Sequence, residues 1–566
     1  MTAGGSSDRY DVAIAGAGVS GLYAAWRLIE DARDRQAPLP AIVIFEWHDH
    51  PGGRLLTWLP AGRHGGLRAE LGGMRFFEQQ AMVWNLLGQL FLLEDIIPFH
   101  VNGDNLRLML RGVSTSLKHP HPARARYRLD QRDQNKSAEK LVREITKEVL
   151  STADNQCVLK RCLGGKQCPQ NREQWDTVKP HLRWRGKPLW QVGFWNLISD
   201  LRSPETYSYI SDALGCFSIV SNWNAAEALQ SMMPFTQKNL SYKTLSVGFQ
   251  ALPAALASAI REAGVSILTN HRLRSFSVRD DGSSTLSVAC PPGDRAIEAN
   301  TLLLAMPRHS LELLAPSPKF DLQCDSELGG LVASIVPQPA FKLFLFYCER
   351  WWESLGITQG RSVSDLPIRQ TYYFAPDPRG SDAGSRIGLL MASYDDARAV
   401  DYWQGLVPPQ DEHERATGRH ELRSAVAELF AEAGLLASGE PAAHPPPHLH
   451  KASEAMISHA TEQLALLHKV AVKDIPQPCA GAFADWTLDP FGGGWNLWRT
   501  HVDVPDAMKR IKAPLGPDRR VHVIGDAYSG AQGWVEGALT ATELVLEHHL
   551  GLARPGWFPA DYYLGW

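Results

Sequence analysis

An α/β (α+β) chain is what the sequence predicts, with a discontinuous Rossmann-like domain, a mixed-sheet second domain and a helical insertion. Three observations predict it. Residues 10–47 read as strand, glycine turn, helix, strand and acid, the order that a dinucleotide-binding βαβ unit requires. Residues 521–526 again form a short apolar strand ending in an acid, and an apolar helix pattern follows at 539–550. Between these two pieces lie further strands and a block of helical patterns, so one sheet is assembled from distant segments with other material inserted.

Residues 12–15 form an apolar run that ends at Gly16, and Gly16, Gly18 and Gly21 give the GxGxxG spacing. The first glycine makes the tight turn, the second lets a pyrophosphate approach the backbone, and the third lets the helix pack on the strand. Leu22, Ala25, Trp26 and Ile29 share one helical face. The helix start supplies free N–H groups and partial positive charge for phosphates. The second run, residues 41–45, ends at Glu46, a carboxylate placed for ribose hydroxyls. An acid there argues against a 2′-phosphate and leaves FAD and NAD both open.

At 566 residues the chain exceeds one core, so two or three domains are expected. A net charge of −4 and ordinary apolar content suggest neither a nucleic-acid partner nor a disordered chain. Eighteen tryptophans make a large aromatic-lined pocket plausible. Residues 1–10 lack a basic segment and an apolar core, so no signal peptide is read and a cytoplasmic location is expected. No stretch reaches the roughly 18 apolar residues of a membrane span. The richest, residues 83–97, carries Asn85, Gln89, Glu94 and Asp95 and reads as an amphipathic helix. Eight scattered cysteines without a CxxC pair read as reduced thiols, and no metal site is expected. A capping signal at Ser137 opens a helix through Leu150, and two more helical patterns cover 194–201 and 225–232. The basic residues of 118–140 are read as a solvated face.

Further blocks carry a resemblance: Pro51-Gly52-Gly53-Arg54, then Leu71-Gly72-Gly73-Met74-Arg75-Phe76, and near the end Gly525-Asp526 and Gly533-Trp534-Val535-Glu536-Gly537. This set resembles the flavin-containing amine oxidases, and the GGMR piece is similar to the L-amino acid oxidases of snake venoms and bacteria. The resemblance implies FAD. It implies non-covalent attachment too, because covalent members use a cysteine near the C-terminal flavin segment and residues 525–537 contain none. The implied division is FAD-binding at 8–70, 239–309 and 506–552, substrate-binding at 71–114 and 310–505, and helical at 115–238. The implied FAD contacts are Gly16, Gly18, Gly21, Glu46, Gly53, Arg54, Gly73, Met74, Arg75, Leu273, Gly525, Asp526, Trp534 and Val535. A homodimer is the family expectation.

The substrate side follows from charge and shape. An α-carboxylate is best met by a planar, bidentate cation, and Arg75 is the candidate. Lys342 stands in an otherwise apolar strand pattern, residues 341–347. A lysine there either snorkels to the surface or, as the resemblance implies, holds a water beside the flavin as a catalytic group. Tyr394, just before Asp395-Asp396-Ala397, is similar to the family's carboxylate-binding tyrosine. About three residues are missing between them, so Tyr372 stays as the alternative. The resemblance implies Trp495 and Trp534 along the substrate, and Gln250 stands where members of that family commonly carry an acid. Residues 217–226 could reach the pocket, or Trp223 could be core. The implied reaction is oxidation of an L-amino acid by FAD and O₂ to a 2-oxo acid, ammonia and H₂O₂. Large apolar or aromatic side chains are expected first, and arginine or lysine second. The rivals are an amine oxidase or an amino acid monooxygenase of the same fold, and a flavoprotein without enzymatic activity.

Overall fold

Asp8–Ala15 (β1) runs through a seven-stranded sheet, between Ile42–Phe45 on one side and Arg295–Leu304 on the other, both parallel to it. The structure is a computed structural model that describes residues 8–59, 66–120, 122, 125–165, 168–232, 241–291, 293–375, 385–407, 449–559 and 561–565. Ser266–Leu268 extends the sheet beyond Ile42–Phe45, Val521–Val523 pairs with Arg295–Leu304, and Ser284–Ala289 and Arg272–Val278 complete it antiparallel. The parallel strands are buried on both faces, as their continuous apolar runs require.

The helix Val19–Asp34 (α1) covers one face together with Ala251–Glu262 and Val535–His548. A polar seam crosses this packing. Arg27 of α1 pairs with Glu543 at 3.1 Å, both side chains almost fully buried, and the Tyr23 hydroxyl donates to the same carboxylate at 2.6 Å. A buried carboxylate is tolerated because each charge is hydrogen-bonded. The seam ties the N-terminal βαβ unit to the last helix of the chain. The other face is covered by Ser326–Val332 and Val504–Ile511.

A second sheet has eight strands, with Ala340–Tyr347 paired on both sides by Gly388–Asp396 and Ala480–Asp485. Beyond Gly388–Asp396 come Gln370–Phe374, Gly360–Ser364, Arg107–Leu110 and Val113–Ser116. Period-two alternation sorts the faces. Phe341, Leu343, Leu345 and Tyr347 pack in a core with the helix Glu454–His468. Phe344, Phe346 and Tyr372 join the core shared with α1. Lys342 belongs to this second face, and at 4 % exposure it does not snorkel to the surface.

Among the described residues between 138 and 232, six α-helices, from Ala138–Leu150 to Ala225–Met232, build a separate core around Trp175, Phe194, Tyr209 and Trp223. Trp223 is 6 % exposed and its indole N–H donates to Ile219 O, so it is core.

Three expectations differ from the structure. The helix read over 83–97 is Ala81–Gln89, because Phe91 takes a φ of 58° and Ile96–Pro98 is a strand. Tyr242–Leu245 pairs with Phe76–Phe77 and Ile96–Pro98, not with the seven-stranded sheet, so 239–309 is not all one unit. Residues of 311–335, such as Leu311, Phe320 and Leu331, pack against the seven-stranded sheet, not against the eight-stranded one. The boundary at 238/239 and the reading of residues 1–7 lie outside the described residues. Among the described residues no helix is long and apolar enough to cross a membrane.

Candidate active site

A long cleft opens where β1 meets α1. Its walls include Gly16, Gly18, Glu46, Gly53, Arg54, Gly73, Arg75, Leu273, Gly525, Asp526, Trp534 and Val535. Gly16 has a φ of +110°, and a Cβ there would lie 2.6 Å from Ala305 O. At Gly21 a Cβ would lie 2.1 Å from Gly16 O, so this glycine serves the strand–helix contact and does not line the cleft. Gly18 differs: a Cβ there meets only Gly53 Cα, at 4.0 Å. Protein packing does not demand that glycine; a group approaching the backbone from the cleft does.

The electrostatics suit a dinucleotide. α1 begins at Gly18 without a side-chain cap, and so does Val535–His548 at Trp534. Both uncapped helix starts contribute residues to the cleft wall and offer backbone N–H groups to an anion. Glu46 accepts from the N–H groups of Ala17 and His48 at 2.8 and 2.9 Å. Burial raises its pKa, against those hydrogen bonds. The N–H bonds fix its carboxylate at the cleft wall and leave acceptor capacity for hydroxyls. Arg54 pairs with Asp526 and donates to Gly494 O at 2.9 Å, while Asp526 accepts from Gly533 N–H at 3.1 Å. These contacts lock the glycine-rich segments around the cleft. The residues present therefore fit FAD. Met74, like Gly21, is not part of the cleft wall; it is buried in the core.

Arg75 stands in the cleft wall, and a cluster of aromatic rings, called the aromatic chamber below, surrounds its guanidinium. Its guanidinium lies 4.2 Å from the ring centre of Tyr242, 5.3 Å from Phe99 and 5.8 Å from Tyr372. It donates to the Tyr372 hydroxyl at 3.1 Å, and that hydroxyl donates to Gln370 Oε1 at 3.3 Å. Tyr394 sits on the neighbouring strand, in register with both Lys342 and Gln370. Its ring is 4.9 Å from Lys342 Nζ and 6.5 Å from Trp495. So Tyr372 touches Arg75 directly, and Tyr394 lies between the lysine and Trp495. The Trp534 ring packs against Phe77, tilted by 34° with ring centres 4.4 Å apart.

Lys342 Nζ donates to the carbonyls of Glu70 and Gly72, at 2.9 and 2.5 Å. It thereby fastens the segment that presents Arg75. Burial, with a smaller contribution from the Arg75 charge, lowers its pKa to about 7. Glu70 is raised to about 7, again by burial, although it accepts from Phe249 N–H and the Thr57 hydroxyl. Gln250 is turned toward the same loop: its Oε1 accepts from Thr57 N–H at 2.9 Å, and it is not in the cleft wall.

Sequence reasoning missed Phe99, Tyr242 and Gln370. Gln370 lies two residues before Tyr372 on one strand face, a signal that alternation carries. Tyr242 and Phe99 belong to short segments, and nothing in their sequence marks them.

A family model described as flavin containing amine oxidoreductase matches residues 19–433. Aplysianin-A of Aplysia kurodai is 23% identical over 565 residues, covering 95% of this chain and 90% of its own length. The L-amino-acid oxidase of Bungarus fasciatus is 21% identical over 541 residues, covering 94% of this chain and 85% of its own. A double mutant of putrescine oxidase superposes with a TM-score of 0.60 at 15% identity, covering 96% of this chain and 100% of its own. With a family match over most of its length and the cleft that its glycine motif builds, the chain belongs to the flavin containing amine oxidoreductases.

Proposed function

We propose that the protein is an FAD-dependent L-amino acid oxidase that binds FAD without a covalent link. The observation that carries this reading is Arg75, a guanidinium at the junction of cleft and chamber, caged by aromatic rings and hydrogen-bonded to Tyr372. A partly buried cation whose partners are neutral is matched to an incoming carboxylate, which it can grip with two parallel N–H bonds. An amine substrate brings a second cation and would be repelled there, so Arg75 disfavours the amine oxidase reading that the fold alone would allow. Among the described residues no cysteine lines the cleft, which supports non-covalent attachment.

In this reading Arg75 holds the α-carboxylate, and the Tyr372 hydroxyl joins it by turning its one hydrogen from Gln370 Oε1 to the substrate, with Tyr394 as the second phenol beside it. That grip orients the α-carbon toward the cleft. Trp534, packed against Phe77, walls the amine end. FAD held by Gly16, Gly18, Glu46, Gly525 and the helix start at Trp534 would supply the two-electron oxidation of the α-carbon, with O₂ as the final acceptor and H₂O₂ as the product. The imine then hydrolyses to a 2-oxo acid and ammonia. Two of the three ammonium hydrogens of Lys342 are taken by carbonyls. The third is free for a water, and with a pKa near 7 Nζ can hold or release a proton at neutral pH.

The alternative preference for basic side chains needs an acid in the chamber. Glu536 instead accepts from the N–H groups of Met82 and Val83, at 3.2 and 3.0 Å. Asp489 pairs with His309 at 2.6 Å. Asp396 accepts from Phe217 and Ser218 N–H, at 2.7 and 2.8 Å. The aromatic walls suit a long or flat side chain. The test is product analysis in air with individual L-amino acids. A 2-oxo acid with stoichiometric H₂O₂ supports the oxidase, an amide with CO₂ indicates a monooxygenase, and turnover of amines alone overturns the reading.

A further inference from the structure

The chamber holds a second guanidinium that the reaction leaves without a task. Arg361 lies on Gly360–Ser364, in register with Tyr372 across the antiparallel ladder. Its Nη1 donates to Gln370 Oε1 at 3.0 Å. The same oxygen accepts from the Tyr372 hydroxyl at 3.3 Å, and that hydroxyl accepts from Arg75 at 3.1 Å. Arg75 and Arg361 are thus the two ends of one short hydrogen-bond relay. Arg361 pairs with Tyr372, two residues from Gln370, which in turn pairs with Tyr394 opposite Lys342, so Arg361 shares the sheet face that carries these side chains.

Among the described residues neither guanidinium pairs with a carboxylate, and Arg361 Nε is buried without a hydrogen-bond partner. Gln370 has no further capacity to help: its Nε2 donates to Gly215 O and Cys216 Sγ. Two partly buried cations with neutral partners are costly unless anions arrive. One amino acid carboxylate satisfies one of them.

We propose that Arg361 is a specificity-determining residue that receives a carboxylate at the far end of the substrate side chain, so that the preferred substrates are acidic L-amino acids. This rests on the reading of the site as an L-amino acid oxidase. It replaces the apolar or aromatic preference that the tryptophans alone suggest. The rings of Phe99, Tyr242 and Tyr372 then flank the methylenes between two anchored ends. A homologous series of substrates reads out the best chain length.

The experiment is anaerobic flavin reduction of the holoenzyme by L-aspartate, L-glutamate and L-2-aminoadipate, each against a neutral partner: L-asparagine, L-glutamine and L-norleucine. At least one acidic substrate is expected to half-saturate about tenfold or more below its neutral partner, the size of one charged hydrogen-bonded contact. Arg361→Gln should erase that difference and Arg361→Lys should restore part of it. Flavin content and Tm serve as controls. If neutral L-amino acids reduce the flavin and the acidic ones do so no better, the inference fails and the oxidase reading survives. The inference fails in the same way if Arg361→Gln weakens both classes equally. If no L-amino acid reduces the flavin, both fall together. The wild-type ranking stands as a test even if the variants do not fold.

Discussion

Replacing Arg75 with methionine removes the positive charge while keeping an unbranched side chain of similar length inside the Tyr242, Phe99 and Tyr372 cage. What is lost is a bidentate grip on the α-carboxylate. Two charge-assisted hydrogen bonds at about 1.5–3 kcal/mol each amount to about 3–6 kcal/mol. At about 1.4 kcal/mol per factor of ten, kcat/KM for an L-amino acid should fall by about 10²- to 10⁴-fold. The amine that lacks only the α-carboxylate makes neither bond. Its kcat/KM should stay level or rise, because a repelling charge has gone. The assay is steady-state O₂ consumption with the best L-amino acid and its decarboxylated counterpart, at matched flavin content. A loss shared equally by both substrates would overturn this role, since it would mean that Arg75 supports the fold or the cofactor and does not read the carboxylate.

Three further outcomes are expected. Gly18→Ala places a methyl group that meets only Gly53 Cα at 4.0 Å. The flavin-to-protein absorbance ratio should therefore fall while the Tm of the flavin-free protein holds; Gly21→Ala, 2.1 Å from Gly16 O, should instead lower that Tm. Tyr372→Phe removes one hydroxyl from the carboxylate site and should raise KM by about 5- to 30-fold, for about 1–2 kcal/mol. A larger effect from Tyr394→Phe would reverse the assignment of the two phenols. Lys342 is a cation below its pKa of about 7 and neutral above it, whereas an unfolded lysine stays charged to 10.5. Its charge beside Arg75 should favour carboxylate binding, so KM should climb as pH rises through about 7, and Lys342→Met should flatten that step. The folded protein also binds fewer protons than the unfolded chain between about 7 and 10.5, so wild-type stability should gain with pH in that window relative to Lys342→Met. Glu70, raised to about 7, titrates nearby, and Glu70→Gln separates the two contributions.

The dinucleotide cleft was legible in the sequence because its chemistry is local. Gly16, Gly18 and Gly21 stand within one turn, and Glu46 follows at the end of the next strand. A backbone that must bend at Gly16 and stay bare at Gly18 leaves its mark in consecutive letters. The chamber was only half legible. Arg75 and Lys342 stood out as charges in glycine-rich and apolar surroundings. Their partners come from several distant strands, and Tyr242 or Arg361 looks like any polar residue until the sheets bring it beside Arg75. Gln250 shows the converse. Its position after a glycine and a phenylalanine suggested substrate, but the loop around Thr57 claims its side-chain oxygen. The different surroundings of Tyr372 and Tyr394 emerge only with the register: Lys342 and Gln370 sit opposite Tyr394, and Tyr372 is hydrogen-bonded to Arg75. The helix expected through residue 97 failed at Phe91, where one left-handed residue ends it and apolar periodicity gives no warning.

Anaerobic mixing of the yellow holoprotein with L-amino acids, their D-enantiomers and their decarboxylated amines, read as loss of flavin absorbance, puts the role of Arg75 to its plainest test. Bleaching by L-amino acids and by neither of the other two sets is expected. Bleaching by the amines without any by L-amino acids would contradict the oxidase reading, because Arg75 would then have no carboxylate to hold.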